Sequence, residues 1–130
     1  MKIKDCIILM GGMGTRCYPF SYVLPKCMVP ILNKPVIEFV IEDAMQAGFE
    51  NIYLVLPKHI DCKVVLNHFK QNKTVLDILK QKDSPYYEII KNRTFPKIKP
   101  VYVNPNGTGG AVLACEKYLK NKTWADTKRE

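Results

Sequence analysis

Across residues 3–10 the chain is β-branched and leucine-rich, with Lys4 and Asp5 near its start and Gly11 and Gly12 directly after it. A short apolar run bounded in this way predicts a strand buried on both faces, the kind found in parallel sheets. Prolines at 19, 25, 30 and 35 forbid a helix over residues 19–35 and predict an extended, looping but stiff path. Pro35 suits the first position of a helix, and Val36, Ile37, Val40, Ile41, Ala44 and Met45 follow a 3.6-residue period until Gly48. The run NIYLVLP at 51–57 predicts a second strand. Strand, helix, strand in this order is a βαβ unit, so the sheet is expected to be mainly parallel.

Beyond it, CKVVLNHF, TVLDILKQK and SPYYEIIKN read as three short helices, the last with Ser84 as cap and Pro85 in its first turn. They are expected to cover one edge of the sheet. IKPVYV at 98–103 predicts a third strand, NPNGTGG a second glycine-rich loop, and AVLACEKYLK a closing helix. The expected class is therefore α/β, a mainly parallel sheet with flanking helices.

At 130 residues, 47% hydrophobic and 25% charged, the chain has the size and composition of one folded domain. Its longest apolar run near the start is far too short for a membrane span or signal core, so no targeting segment and no membrane partner are expected. Five cysteines, Cys6, Cys17, Cys27, Cys62 and Cys115, form no Cys-x-x-Cys pair. Reduced thiols in the cytoplasm are the expectation, acting as small apolar fillers even at Cys17 and Cys27 beside the first loop. The net charge of +8 suits anionic partners. Lysines scattered without interleaved aromatics argue against nucleic acid.

The first glycine-rich loop carries the chemistry. In ILMGGMGTRCYPFSYVLPK three glycines follow the first strand and two cations, Arg16 and Lys26, follow the glycines. A Walker loop is excluded because no lysine follows Gly14, and a dinucleotide fingerprint because the chain runs into prolines instead of a helix. Glycines nevertheless let the main chain approach an anion closely. Arg16 adds a planar fork of donors and Lys26 a mobile point charge, which together point to phosphate.

GMGTR, with PK beginning nine positions after Arg16, resembles the signature of the sugar-1-phosphate nucleotidyltransferases. LPKCMVPILNKPVIEFVIEDAMQAGFENIYLV, LNHF and GTGGAVLAC extend the similarity over nearly the whole chain, with NHF and the helical stretch after it favouring the UTP:glucose-1-phosphate uridylyltransferase branch. The resemblance implies a Rossmann-like fold and a Mg2+-dependent transfer that makes UDP-glucose and pyrophosphate from UTP and glucose 1-phosphate. It implies catalytic roles for Arg16, at the leaving pyrophosphate, and Lys26, at the phosphates opposite. Gly12, Gly14 and Thr15 would wrap the nucleotide phosphates, while Met10 and Gly11 would approach the base, as would Gly107 and Gly109 in the second loop.

Some positions depart from the pattern. Met10 and Gly11 replace paired alanines, Cys27 replaces a glutamate, Asn104-Pro105 stands where an Arg-Gln pair is usual, and Gly110 replaces a histidine. After GTGGAVLACEKYL the family continues into a buried strand ending in a metal-binding aspartate. The polar run KNKTWADTKRE is not expected to form that strand or to place Asp126 as the ligand, so no metal ligand is assigned. Asp5, Glu38, Glu42 and Asp43 read as solvated or structural charges, and His59 and His68 as packing or surface residues. Residues 1–130 are thus expected to form one N-terminal nucleotide-binding part, incomplete at its C-terminus and inactive alone. Self-association, or association with a missing C-terminal half, follows from a half-sheet left with an apolar edge. Two alternatives remain, a non-catalytic nucleotide or sugar-nucleotide binding module and a related transferase using another base.

Overall fold

The computed structural model of the chain describes residues 2–104 and 107–119, together with the backbone of 124–128. Four strands form one sheet in the order β5-β4-β1-β6. They are β1 (Asp5–Leu9), β4 (Asn51–Pro57), β5 (Lys97–Val103) and β6 (Trp124–Lys128), and every pairing is parallel. Ile7 faces Tyr53 in one neighbour and Asp126 in the other. A separate two-stranded hairpin, β2 (Pro30–Ile31) with β3 (Lys34–Pro35), lies within the proline-rich stretch. Three single 3-10 turns, at Thr15–Cys17, Phe20–Tyr22 and Lys26–Met28, lie just before and within that stretch.

Alternation along the strands builds two cores, one on each face of the sheet. Cys6 and Ile8 of β1, with Ile52, Leu54 and Leu56 of β4, pack under Ile37, Val40, Ile41 and Ala44 of helix α1 (Val36–Gln46) and Val65 of α2 (Lys63–His68). Ile7, Leu9, Tyr53, Val55, Val101 and Val103 face the other way, against Ala111 of α5 (Gly107–Leu113), Cys115, and Leu119 of α6 (Glu116–Leu119). Helices on both faces explain why β1 and β4 are apolar after Asp5 and Asn51 at their starts. β5, an edge strand, buries Val101 and Val103 but exposes Lys97 and Lys99, and it tolerates Pro100 because its outer side needs no ladder donor.

The first strand, the first helix, β4 and β5 occur where the apolar pattern puts them, with Pro35 capping α1 just before its first turn. The three short helices also form, as α2, α3 (Lys73–Gln81) and α4 (Tyr86–Lys91). Asn72 caps α3 by accepting from the Val75 N–H at 3.2 Å, and Ser84 accepts from the Tyr86 N–H at 3.3 Å. Only α2 among them contributes a fully buried side chain, while α3 and α4 pair with each other and bury none.

Two expectations fail. The segment expected to be a second glycine-rich loop is helical from Gly107, and the chain then forms two short helices in place of one. Packing of Ala111 and Cys115 on the sheet outweighs the poor helix propensity of glycine. The polar C-terminal run does form a strand, β6, with Asp126 in register with Ile7. Main-chain pairing with β1 requires no apolar side chains, and a polar strand is tolerated at a sheet edge. The side chains of β6 lie outside the described residues.

Buried charge is compensated within the fold. Asn51 Nδ2 donates to Asp5 Oδ1 at 2.7 Å. Glu38, on α1 and 5% exposed, meets His68 Nε2 of α2 at 2.5 Å and Arg93 at 3.4 Å, and Arg93 also donates to the His68 carbonyl at 3.2 Å. Phe69 and Phe95, in edge-to-face contact at 4.9 Å, lie beside this cluster. Glu38 is thus a structural charge, and His68 is a packing residue with a carboxylate partner thirty positions away in sequence, which local spacing could not reveal. Among the described residues no helix is long and apolar enough to cross a membrane.

Candidate functional site

The site forms where β1 ends. The Met10 N–H donates to the Val55 carbonyl at 2.9 Å, prolonging the sheet by one residue before the chain turns out. Gly11 then passes so close to β5 that a Cβ there would lie 2.8 Å from Val103 Cγ2, too near for any larger residue without a shift. Gly14 turns the chain with φ 67°, in the left-handed region. Its carbonyl accepts the Cys17 N–H at 2.9 Å, closing the 3-10 turn that carries Thr15 and Arg16, and it also accepts the Ser21 hydroxyl.

Lys26 returns to this loop from the proline-rich stretch. Buried Pro25 and the Met28 N–H to Pro25 carbonyl bond, 2.9 Å long, set the turn that presents it. Its Nζ lies 3.9 Å from where a Cβ on Gly12 would sit, and its Cβ 3.3 Å from the corresponding position on Gly14. The nine residues between the two cations therefore loop out and bring Lys26 back over the glycines.

These elements bound a cleft of about 620 Å³ at the carboxyl ends of the parallel strands, where ligands of open α/β sheets gather. Met10, Gly11, Gly12, Gly14, Thr15, Arg16 and Lys26 line one side and Gly107 the other. Met10 is 4% exposed and belongs to the core beneath α1, so its long side chain is largely withdrawn from the cleft. Gly109 is not part of the lining. Because 107–113 is a helix, Gly107, Thr108 and Ala111 share a face, whereas Gly109 is turned about 200° from Gly107. Thr108, Val29 and Val36 line the cleft without having been singled out from the sequence. Only recognition of the helix start at Gly107 would have pointed to Thr108.

The lining holds two cations, Arg16 and Lys26, and no carboxylate among the described residues. Neither cation has an ion-pair partner there. Such a cleft attracts an anion with several oxygens, to which Arg16 offers a fork and Lys26 a point charge.

The profile of the Nucleotidyl transferase family matches residues 5–124. The chain belongs to this family. It is 33% identical over 132 residues to UTP–glucose-1-phosphate uridylyltransferase 1 of Staphylococcus saprophyticus, covering 96% of the chain but 44% of that protein. The enzyme of that name from Staphylococcus epidermidis is 31% identical, with 43% of its length covered. A UTP-bound UGPase from Acinetobacter baumannii superposes with a TM-score of 0.85 at 28% identity, over 98% of the chain and 45% of that structure. The chain thus spans less than half the length of the relatives it matches, and its fold is the Rossmann-like α/β fold of nucleotidyl transferases.

Within this nucleotidyl transferase fold the four buried cysteines, Cys6, Cys27, Cys62 and Cys115, act as fillers, whereas Cys17 is partly exposed. Cys27 is 3% exposed, and burial pushes its thiol up to about 12, with the neighbouring Cys62 adding to the shift. Burial likewise raises Cys62 to about 11 and lifts Cys115. A thiol so shifted is almost entirely protonated at neutral pH and is a poor nucleophile. Iodoacetamide at pH 7.5 is expected to modify Cys17, at the rim of the cleft, well before Cys27, as read by peptide mass mapping of the native protein. Equal rates at the two positions would contradict the buried placement of Cys27.

Proposed function

We propose that this chain is the nucleotide-binding part of a UTP:glucose-1-phosphate uridylyltransferase, which makes UDP-glucose and pyrophosphate from UTP and glucose 1-phosphate. The observation that carries the reading is the return of Lys26 over the Gly12–Gly14 turn beside Arg16, giving a cleft with two unpaired cations and no carboxylate among its described lining residues. The similarity to uridylyltransferases and to a UTP-bound structure supports the choice of base and sugar.

In this reading the triphosphate lies along the glycine turn, with Gly12, Gly14 and Thr15 against its phosphates. An oxygen of the sugar phosphate forms a bond to the α-phosphorus as the bond to the β-phosphate oxygen breaks, and pyrophosphate carries away the electron pair. Arg16 stabilises the charge growing on pyrophosphate, and Lys26 the charge on the opposite phosphate oxygens. The base lies toward Gly11 and Gly107, with Thr108 and Asn104 as polar neighbours. Glucose 1-phosphate is assigned to a part of the relatives that this chain does not match, supplied by further chain or by association.

Mg2+ accompanies the triphosphate in this reading. Among the described residues no three His, Cys, Asp or Glu side chains gather as metal ligands, and the cleft offers no carboxylate. The described residues therefore do not fit a metal site of their own, and no step is assigned to the ion. Work in the cytoplasm agrees with the five free cysteines.

Isothermal titration with UTP tests the reading, and saturable binding is expected. No binding at millimolar UTP would overturn it. Pyrophosphate release on adding glucose 1-phosphate and Mg2+ would show that the chain alone turns over. Binding without release leaves the binding part or a binding module. Equal affinity for another nucleoside triphosphate would assign a different base.

A further inference from the structure

We propose that Ser21 is the positioning residue of the phosphate loop, its buried hydroxyl holding the peptide after Gly14 in the orientation that serves a triphosphate. The proposal rests on the reading of the cleft as a nucleotide-phosphate site. Ser21 is 1% exposed, more deeply buried than Asp5 or Glu38, although serine is ordinarily a surface residue. A hydroxyl so placed needs a partner, and this one donates to the Gly14 carbonyl. The same oxygen accepts the Cys17 N–H at 2.9 Å, so both of its lone pairs are engaged.

The peptide unit is planar and trans, so fixing the Gly14 carbonyl fixes the Thr15 N–H on the other side of the same plane. Ser21 is not among the residues lining the cleft, whereas Gly14, Thr15 and Arg16 are. The hydroxyl thus grips the loop from behind and turns the Thr15 N–H away from itself.

Ser21 also bears on Lys26. A Cβ built on Gly14 would lie 3.0 Å from Ser21 Cβ, 3.2 Å from Ser21 Oγ and 3.3 Å from Lys26 Cβ. The three residues therefore stack in contact, with Ser21 midway in sequence between Arg16 and Lys26. One buried hydroxyl joins the turn that carries Arg16 to the segment that carries Lys26.

Ser21→Val and Ser21→Thr have nearly the same shape and differ by the hydroxyl. Affinity for UTP is measured by isothermal titration and for uridine, which lacks the phosphates, by NMR titration. Ser21→Val is expected to weaken UTP by about five- to tenfold, the worth of one net hydrogen bond, while Ser21→Thr stays within about twofold of the parent. Uridine affinity should be the same in all three. Unchanged UTP affinity in Ser21→Val, or parallel losses for UTP and uridine, would overturn the proposal, the second outcome marking Ser21 as a packing residue. Should Ser21→Val not fold, Ser21→Ala carries the same comparison. If the parent protein binds uridine but gains nothing from the phosphates, the phosphate reading itself fails, a result distinct from a failure at Ser21.

Discussion

Lys26→Ala is expected to weaken UTP binding by about thirtyfold or more, and Arg16→Ala by about tenfold, since a hydrogen bond to a charged group contributes roughly 1.5–3 kcal/mol. The order follows from placement. Lys26 is half-buried with its Nζ over Gly12, where its charge is poorly screened, whereas Arg16 is exposed on a 3-10 turn and partly screened by salt. Neither side chain has an ion-pair partner among the described residues, so its removal should cost the fold little. Isothermal titration at two salt concentrations checks both claims. Each variant should show a shallower salt dependence than the parent, because one fewer cation meets the phosphates. UTP affinity unchanged in both variants would mean that the triphosphate does not lie on this loop.

A second large effect concerns stability. Glu38→Ala removes the carboxylate that meets both His68 and Arg93, leaving a guanidinium whose buried Nε already has no partner among the described residues. Breaking a buried ionic cluster from one side costs about 3 kcal/mol, which for a domain of this size lowers Tm by roughly 10–15 °C. Glu38→Gln keeps the shape and one acceptor oxygen, so its loss should be clearly smaller. Thermal melts followed by circular dichroism distinguish the two. A Glu38→Ala variant that melts within a degree or two of the parent would show that α1, α2 and the segment before β5 are held by their apolar contacts alone.

The Glu38 cluster also marks where reading along the chain stops. His68 is separated from Glu38 by β4, and Arg93 by β4 and three helices, and no local pattern relates them. The phosphate loop is the opposite case. Its glycines, Arg16 and Lys26 lie within one short stretch whose spacing is itself informative, and the structure gathers them on one cleft. The glycines at 107, 109 and 110 suggest a loop, whereas this segment is a helix from Gly107 and Gly109 does not line the cleft. β6 was missed for a related reason: side-chain polarity speaks to burial, while an edge strand needs main-chain partners, which β1 supplies.

By itself the sequence determined the elements whose apolar period is strong, namely β1, α1, β4 and β5, because side-chain burial is written into that period. It also determined the residue types of the loop, glycines followed by two cations, and hence its suitability for an anion. Tertiary structure alone decided how Lys26 returns over Gly12, that Ser21 grips Gly14 from behind, that Glu38 is buried against His68 and Arg93, and that residues 124–128 pair with β1. The Glu38 cluster and the β1–β6 pairing join segments distant in the chain, and the loop contacts depend on how the proline-rich path folds back, so none follows from a local pattern.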